Sequence, residues 1–275
     1  MRALNLVLIF FSVLSSATSA RALEFKLLSE QPVQGSMVVG KLIGKGDASF
    51  NNRLLKRTEE GIVVFGVGRD APKKVVLSLK GEQVESKIEI DVKPRSWKIE
   101  RVDGLPPSKV NPIGEAVLRR IRQEAKLVRE ARMFESSKPY FLQDFIWPAK
   151  GRVSGVYGSQ RVLNGEPKRP HFGLDVANKT GTPVVSPIDG VVKLVHEDMY
   201  YSGGTIVIDH GFGITTTYIH LSKVSVKIGD KVSQGDTIGA IGATGRATGP
   251  HLDWRLNWFD TRLDPQLLLK GISNL

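Results

Sequence analysis

The 275-residue sequence contains no cysteine. No disulfide can brace the fold, and no lipidated cysteine can tether the chain behind its apolar start. Stability has to come from ordinary hydrophobic cores, which a chain of this length builds as one or two domains. Long apolar runs are scarce as well. The run from Leu4 to Leu14 in MRALNLVLIFFSVLSSATSARALEF is too short to span a bilayer comfortably. It follows Arg2 and leads into small residues, with cleavage expected after Ala20 or at the A-x-A site Ala20-Arg21-Ala22. That is the layout of a secretory signal peptide, with an uncleaved anchor as the alternative. Acidic side chains are also in short supply, 28 against 39 Lys and Arg, which leaves a formal net charge of +11. An exported chain of this charge is drawn to anionic surfaces such as lipid head groups or wall polymer, and export makes nucleic acid the least fitting of them.

What is present divides into three segments. Residues 23–101 read as short strands: SMVVGKLI, GIVVFGVG, KKVVLSLK and SKIEIDV are rich in Val and Ile and separated by Gly, Pro and Asp turns. They predict a small β-sandwich, with no histidine and no catalytic constellation. Residues 102–145 open with a proline-rich break, RVDGLPPSKVNP, and continue as a connecting helix. Its expected N-cap is Asn111, with Pro112 at the first helical position and Glu115 in the first turn. Ile113, Val117, Ile121, Val128 and Ala131 fall near one face, and Arg119, Arg120, Arg122, Lys126 and Arg129 cover much of the rest. Residues 146–275 turn all-β again, with glycine at nearly every turn and a short helix expected in the closing DPQLLL.

All five histidines, His171, His196, His210, His220 and His251, lie in this last segment. In RPHFGLDVA, Gly173 and the Val-rich sequence that follows favour an extended chain, so His171 and Asp175 point to the same side of a strand. The same arithmetic puts His251 and Asp253 of HLDWRL together. If the two strands are neighbours, imidazole–carboxylate pairs meet and can hold a divalent metal, with an open position for water. His220, in TTTYIHLS, is placed to orient or deprotonate that water. His210, at a turn, is expected to be structural, and His196 to lie on the surface. Tyr200, Tyr201, Tyr218, Trp254 and Trp258 are candidates for groove walls, and Arg161 and Arg246 for contact with a peptide carboxylate, with core packing and solvated arginines as the alternatives.

HFGLD, GTPVVSPIDGVV, YIHLS and VKIGDKVSQGDTIGAIGATGRATGPHLD, in this order, resemble the M23 (LytM, lysostaphin-like) metallopeptidases from about Gly151 to Leu269. The front β segment is similar to the amino-terminal domain of one bacterial branch of that family. The resemblance implies an antiparallel-β M23-like domain and an exported, periplasmic zinc (Zn2+) endopeptidase that cuts the peptide cross-links of peptidoglycan. It implies His171 and Asp175 as metal ligands and residue 253 as the third. It also implies His251 as the residue assisting the bound water, and His220 as its partner.

Where the family has a second histidine, this chain has Asp253. A carboxylate can ligate zinc, but two anionic ligands neutralise the dication, so its bound water is acidified less. Oxygen-rich ligation also moves preference toward manganese (Mn2+) or another divalent ion. The alternative is a catalytically silent, wall-binding regulator that activates a separate hydrolase as its protein partner. The hairpin VKIGDKVSQGDTIG also resembles biotinyl and lipoyl carriers, but no lysine sits on a tight turn between its strands.

Overall fold

The computed structural model describes residues 23–269, so the expected signal segment, 1–22, lies outside the described residues. The expectation of a mostly β chain with a front sandwich, a connecting helix and an antiparallel C-terminal unit holds. In the front unit, strands Glu24–Leu27, Met37–Ile43 and Ile62–Gly66 form one antiparallel sheet. Arg53–Leu54, Gly46–Phe50, Lys74–Gly81 and Glu85–Asp91 form another. Period-two alternation sets the facing surfaces: Val75, Leu77 and Leu79 are buried while Lys74, Val76 and Lys80 face outward. Phe50 of one sheet stacks on Phe65 of the other with ring centroids 4.5 Å apart.

The C-terminal unit is a ten-stranded antiparallel sheet. Its centre consists of Gly190–Met199, Gly203–Asp209, Ile214–Val224, His251–Trp258 and Leu174–Ala177, in that order. Arg152–Gly155 continues the sheet beyond Leu174–Ala177. Gly203–Asp209 and the first eight residues of Ile214–Val224 are buried on both faces, in keeping with their Ile, Val and Thr content.

Front and rear units share one core. Phe50, Phe65 and Val67 belong to the same buried cluster as Trp258 and Leu263. Gly66 leaves room for this packing: a Cβ there would sit 2.9 Å from Trp258 Cβ and 3.0 Å from Leu263 Cδ2. The Arg53 guanidinium lies 3.7 Å from the centre of the Phe259 ring, and Arg95 pairs at 2.8 Å with Asp264, which is buried. Residue 101, where the front segment was expected to end, lies within Ile99–Val102, a strand that pairs in parallel with Gln160–Leu163.

The helix runs from Glu115 to Arg132 and packs on strands Gly190–Met199 and Gly203–Asp209 through a small cluster of Val128, Ala131, Leu194, Met199 and Val207. Its start corrects the sequence reading. Asn111 ends a separate short turn, Pro107–Val110, and its side chain bonds to Glu166 and Lys168. Gly114 stands at the cap, with no side-chain bond. Ile113, expected on the apolar face, is exposed, because the chain becomes helical only beyond it. The closing DPQLLL forms the expected short turn as a 3-10 helix, Pro265–Leu268, capped by Asp264.

Candidate metal centre

Register brings the site together. Strand Leu174–Ala177 runs antiparallel to His251–Trp258 with Asp175 directly opposite Asp253 and Ala177 opposite His251. His171 enters from the loop just before the first of these strands. His171, Asp175 and Asp253 are all buried, and one potential ligand atom from each lies within 4.8 Å of the other two. His171 Nε2 is 3.1 Å from Asp175 Oδ1, and its Nδ1 is 4.0 Å from Asp253 Oδ2.

Both ring nitrogens of His171 and Oδ1 of Asp175 are buried without a hydrogen-bond partner. Nitrogen and oxygen atoms do not normally remain orphaned side by side in an interior. A divalent cation would satisfy them, and this mixed donor set suits zinc. Asp253 is engaged differently. Arg255 grips it with both prongs, Nε to Oδ1 at 3.0 Å and Nη2 to Oδ2 at 2.7 Å. Each carboxylate oxygen keeps a second lone pair, so Asp253 can still ligate while held. The three residues therefore fit a metal, through two free donors and one shared donor.

Two carboxylates placed opposite one another in a sheet repel unless neutralised. Arg161 contacts Asp175 Oδ2 at 2.8 Å, and Arg255 does the same service for Asp253. Burial pushes both carboxyls up, but neighbouring charge prevails. His171 and Arg161 hold Asp175 below the usual range, and Arg255 and His171 hold Asp253 well below it. Each of the two anions thus has a guanidinium beside it before any cation enters, Arg161 being shared with Glu100. Arg255 was not picked out from the sequence, although it stands two residues after Asp253 on the same strand face.

His220 and His251 lie beside these groups, with ring centroids 4.7 Å apart. His220 Nδ1 donates to the Thr244 carbonyl at 2.8 Å, and His251 Nδ1 to the Gly249 carbonyl at 2.8 Å. Each ring is thereby left with Nε2 as its lone-pair nitrogen. Burial brings the His220 pKa down to about 4, against the opposing pull of Asp253. His220 also has a left-handed backbone, φ +66°, in a strand whose pairing slips beside it. Strain of this kind concentrates at functional sites. The slip breaks the alternation expected from TTTYIHLS: Tyr218 turns into the core, bonded to Thr216, while His220 lines the cleft.

The other candidates divide. Trp254, like Tyr218, is wholly buried and Trp258 is core, so none of these three walls a groove; Tyr201, Arg161 and Arg246 do line the cavity next to the site. His210 is structural, donating to the Asp189 carbonyl and accepting from Thr216. His196 is half-buried and accepts a bond from the Asp198 amide.

Gly173 sets the clearance around Asp253. A Cβ at this position would overlap Asp253 Oδ1 and stand 2.9 Å from Arg255 Cγ. Gly173→Ala is expected to destabilise the protein by about 1–3 kcal/mol and to weaken metal uptake at the same time. Urea unfolding and metal titration of the variant check both, and unchanged values would mean that Asp253 yields freely.

Residues 169–265 match the model of Peptidase family M23. Peptidoglycan DD-endopeptidase ShyA of Vibrio cholerae is 46% identical over 110 residues, covering 39% of this chain and 25% of that protein. The cell division protein DipM of Caulobacter vibrioides is 31% identical over 157 residues, 55% of this chain and 24% of that one. The DD-carboxypeptidase/endopeptidase Mpg of Neisseria meningitidis is 43% identical over 103 residues, 38% and 24% of the two chains. This chain thus spans about a quarter of the length of these curated relatives. Among solved structures, a candidate peptidase M23 from Pseudomonas aeruginosa superposes with a TM-score of 0.69 at 27% identity, covering 87% of this chain and 96% of that one.

Proposed function

We propose that this chain, which carries a peptidase family M23 domain, is an exported, periplasmic metallo-endopeptidase that cleaves the peptide cross-links of peptidoglycan. The observation that carries the reading is the buried cluster of His171, Asp175 and Asp253, with ligand atoms within 4.8 Å of one another, next to two histidines whose Nδ1 atoms are tied to carbonyls. ShyA, named as a peptidoglycan DD-endopeptidase, supports the substrate class.

His171, Asp175 and Asp253 would hold the ion, zinc or another divalent metal. When bound, such an ion supplies Lewis-acid polarisation of a peptide carbonyl and acidification of water. The chain's own residues supply the proton handling. His220 is neutral at physiological pH and its Nε2 accepts a proton. Thr244 fixes which nitrogen does so, because the carbonyl must receive the Nδ1 hydrogen. His251 is held in the same tautomer by Gly249, and its Nε2 lies 4.0 Å from Asp175 Oδ1, next to the ligand set. A proton taken by either ring can be returned to a leaving amine by that same ring. Arg255 and Arg161 keep both carboxylates ionised, and their positive charge lowers the affinity for a dication.

That last point favours the second reading, a wall-binding regulator that needs no metal. The two are separated by digesting purified peptidoglycan with zinc-loaded protein, with metal content measured in parallel. On the first reading cross-linked dimers disappear, His251→Ala slows their loss about 100-fold or more, and Asp175→Ala abolishes both metal and cleavage. Intact dimers with zinc confirmed in the protein would sink the peptidase reading and leave the regulator.

A further inference from the structure

Next to the metal centre lies a second cavity, of about 590 Å³, between the connecting helix and the sheet. Seven arginines line it against two acidic residues, Glu124 and Asp260. Glu124 is already committed, paired with Arg120 and accepting the Tyr200 amide, and Asp260 is exposed. The side chain that matters most is Arg132, in the last turn of the helix, which is only 6% exposed. Its Nε has no hydrogen-bond partner, its Nη2 reaches only the Thr217 hydroxyl at 3.4 Å, and among the described residues it forms no ion pair.

Arginine cannot shed its proton to escape such a position. Burial and the neighbouring Arg262 and Arg255 guanidiniums all push its pKa down, and the same environment brings Arg262 to about 10. Arg255 spends its prongs on Asp253, and Arg262 reaches Asn257 Oδ1 at 3.3 Å. Asp260 and Asp253 pull against those two cations, but neither bonds to Arg132, so a buried guanidinium with an unpartnered Nε still has room for an anion.

We propose that this cavity is an oxyanion site that takes the free C-terminal carboxylate of a peptide, with Arg132 as its principal contact. A planar guanidinium matches a carboxylate prong for prong. The cavity also joins the cleft of the metal centre, since Arg161, His220 and Arg246 line both. A peptide lying in the cleft can therefore place its terminus under the helix. The site itself stands on Arg132 and its neighbours; only the choice of a peptide as ligand rests on the function proposed above.

The test is binding to the full-length protein, read by thermal shift and calorimetry. The probes are an N-acetylated tripeptide ending in D-Ala-D-Ala, the same peptide as its C-terminal amide, and inorganic phosphate. The free acid should raise Tm in a saturable way and the amide should bind about tenfold or more weakly, as loss of a charge-assisted hydrogen bond requires. Arg132→Met should abolish the response to the free acid. Without ligand it should melt no lower than the unaltered protein, because it removes an uncompensated buried charge. A lower Tm for Arg132→Met would assign this arginine a structural role and overturn the proposal, and Arg132→Lys, which keeps the charge without the fork, should retain only weak binding. Equal binding of acid and amide, a response to phosphate alone, or no response at all would each overturn it too. Binding of the free acid without any digestion of peptidoglycan would leave this site standing and sink the peptidase reading instead.

Discussion

Asp253→His, which puts a histidine at the third proposed ligand position, is expected to destabilise the protein by about 3–5 kcal/mol and to leave hydrolysis no faster. Arg255 makes two hydrogen bonds to that carboxylate, at 3.0 and 2.7 Å. Removing the anion strands the guanidinium in an interior where Arg132 and Arg262 are already positive. The imidazole cannot replace the lost charge. It competes with the cation instead, since both would be drawn to the remaining carboxylate, Asp175. A double-mutant cycle in urea checks this. Asp253→His with Arg255→Gln should recover most of the stability lost by the first change, and both variants should show an altered metal affinity. Strictly additive losses would show that the pair is not a unit.

Acid should weaken the fold well before its carboxylates are protonated. His210 is fully buried, and burial brings its pKa from the usual 6.5 down to about 4. The unfolded chain takes up a proton as the pH falls through 6.5, while the folded chain resists until about 4, so the unfolded state binds more protons in that window. The stability contributed by the neutral ring is complete above pH 6.5, declines as the pH drops, and amounts to about 3 kcal/mol lost by pH 4. His220, with its pKa at about 4 for the same reason, adds a loss in the same direction and window. Urea unfolding at pH 7.5, 5.5 and 4.5 measures the slope. In His210→Gln the protein starts less stable, because the Asp189 and Thr216 bonds are disturbed, but its decline with acid should be shallower by about one proton. An unchanged slope would rule out His210 as the titrating group.

The strands and the clustering of His171, Asp175 and Asp253 were legible because they depend on local rules. Alternation in KKVVLSLK predicts its buried face, and two-residue spacing puts His251 and Asp253 on one side of a strand. What escaped notice depends on partners distant in sequence or on departures from regularity. Asn111 has the right chemistry for a cap, but Glu166 and Lys168, more than fifty residues on, compete for its amide and win. Tyr218 and His220 obey alternation until a slip in pairing turns one inward and leaves the other in the cleft. Arg132 reads as one more member of a basic helix, and only the packed structure turns it inward. Arg255 is the exception, since its spacing from Asp253 carried the signal and an arginine at that position answers how the carboxylate is kept ionised.

The continuous core at Gly66 and Trp258 has a mechanical consequence. With aromatic and aliphatic side chains running through the boundary, the front and rear units offer no plane along which the molecule can hinge, and they should melt as one body. The connecting helix is fastened by far less, a handful of aliphatic contacts and a few polar ties at Arg120 and Glu124. The element best placed to move is therefore the helix, lifting off a rigid block, and amide exchange along Glu115–Arg132 should outpace that of the central strands by orders of magnitude.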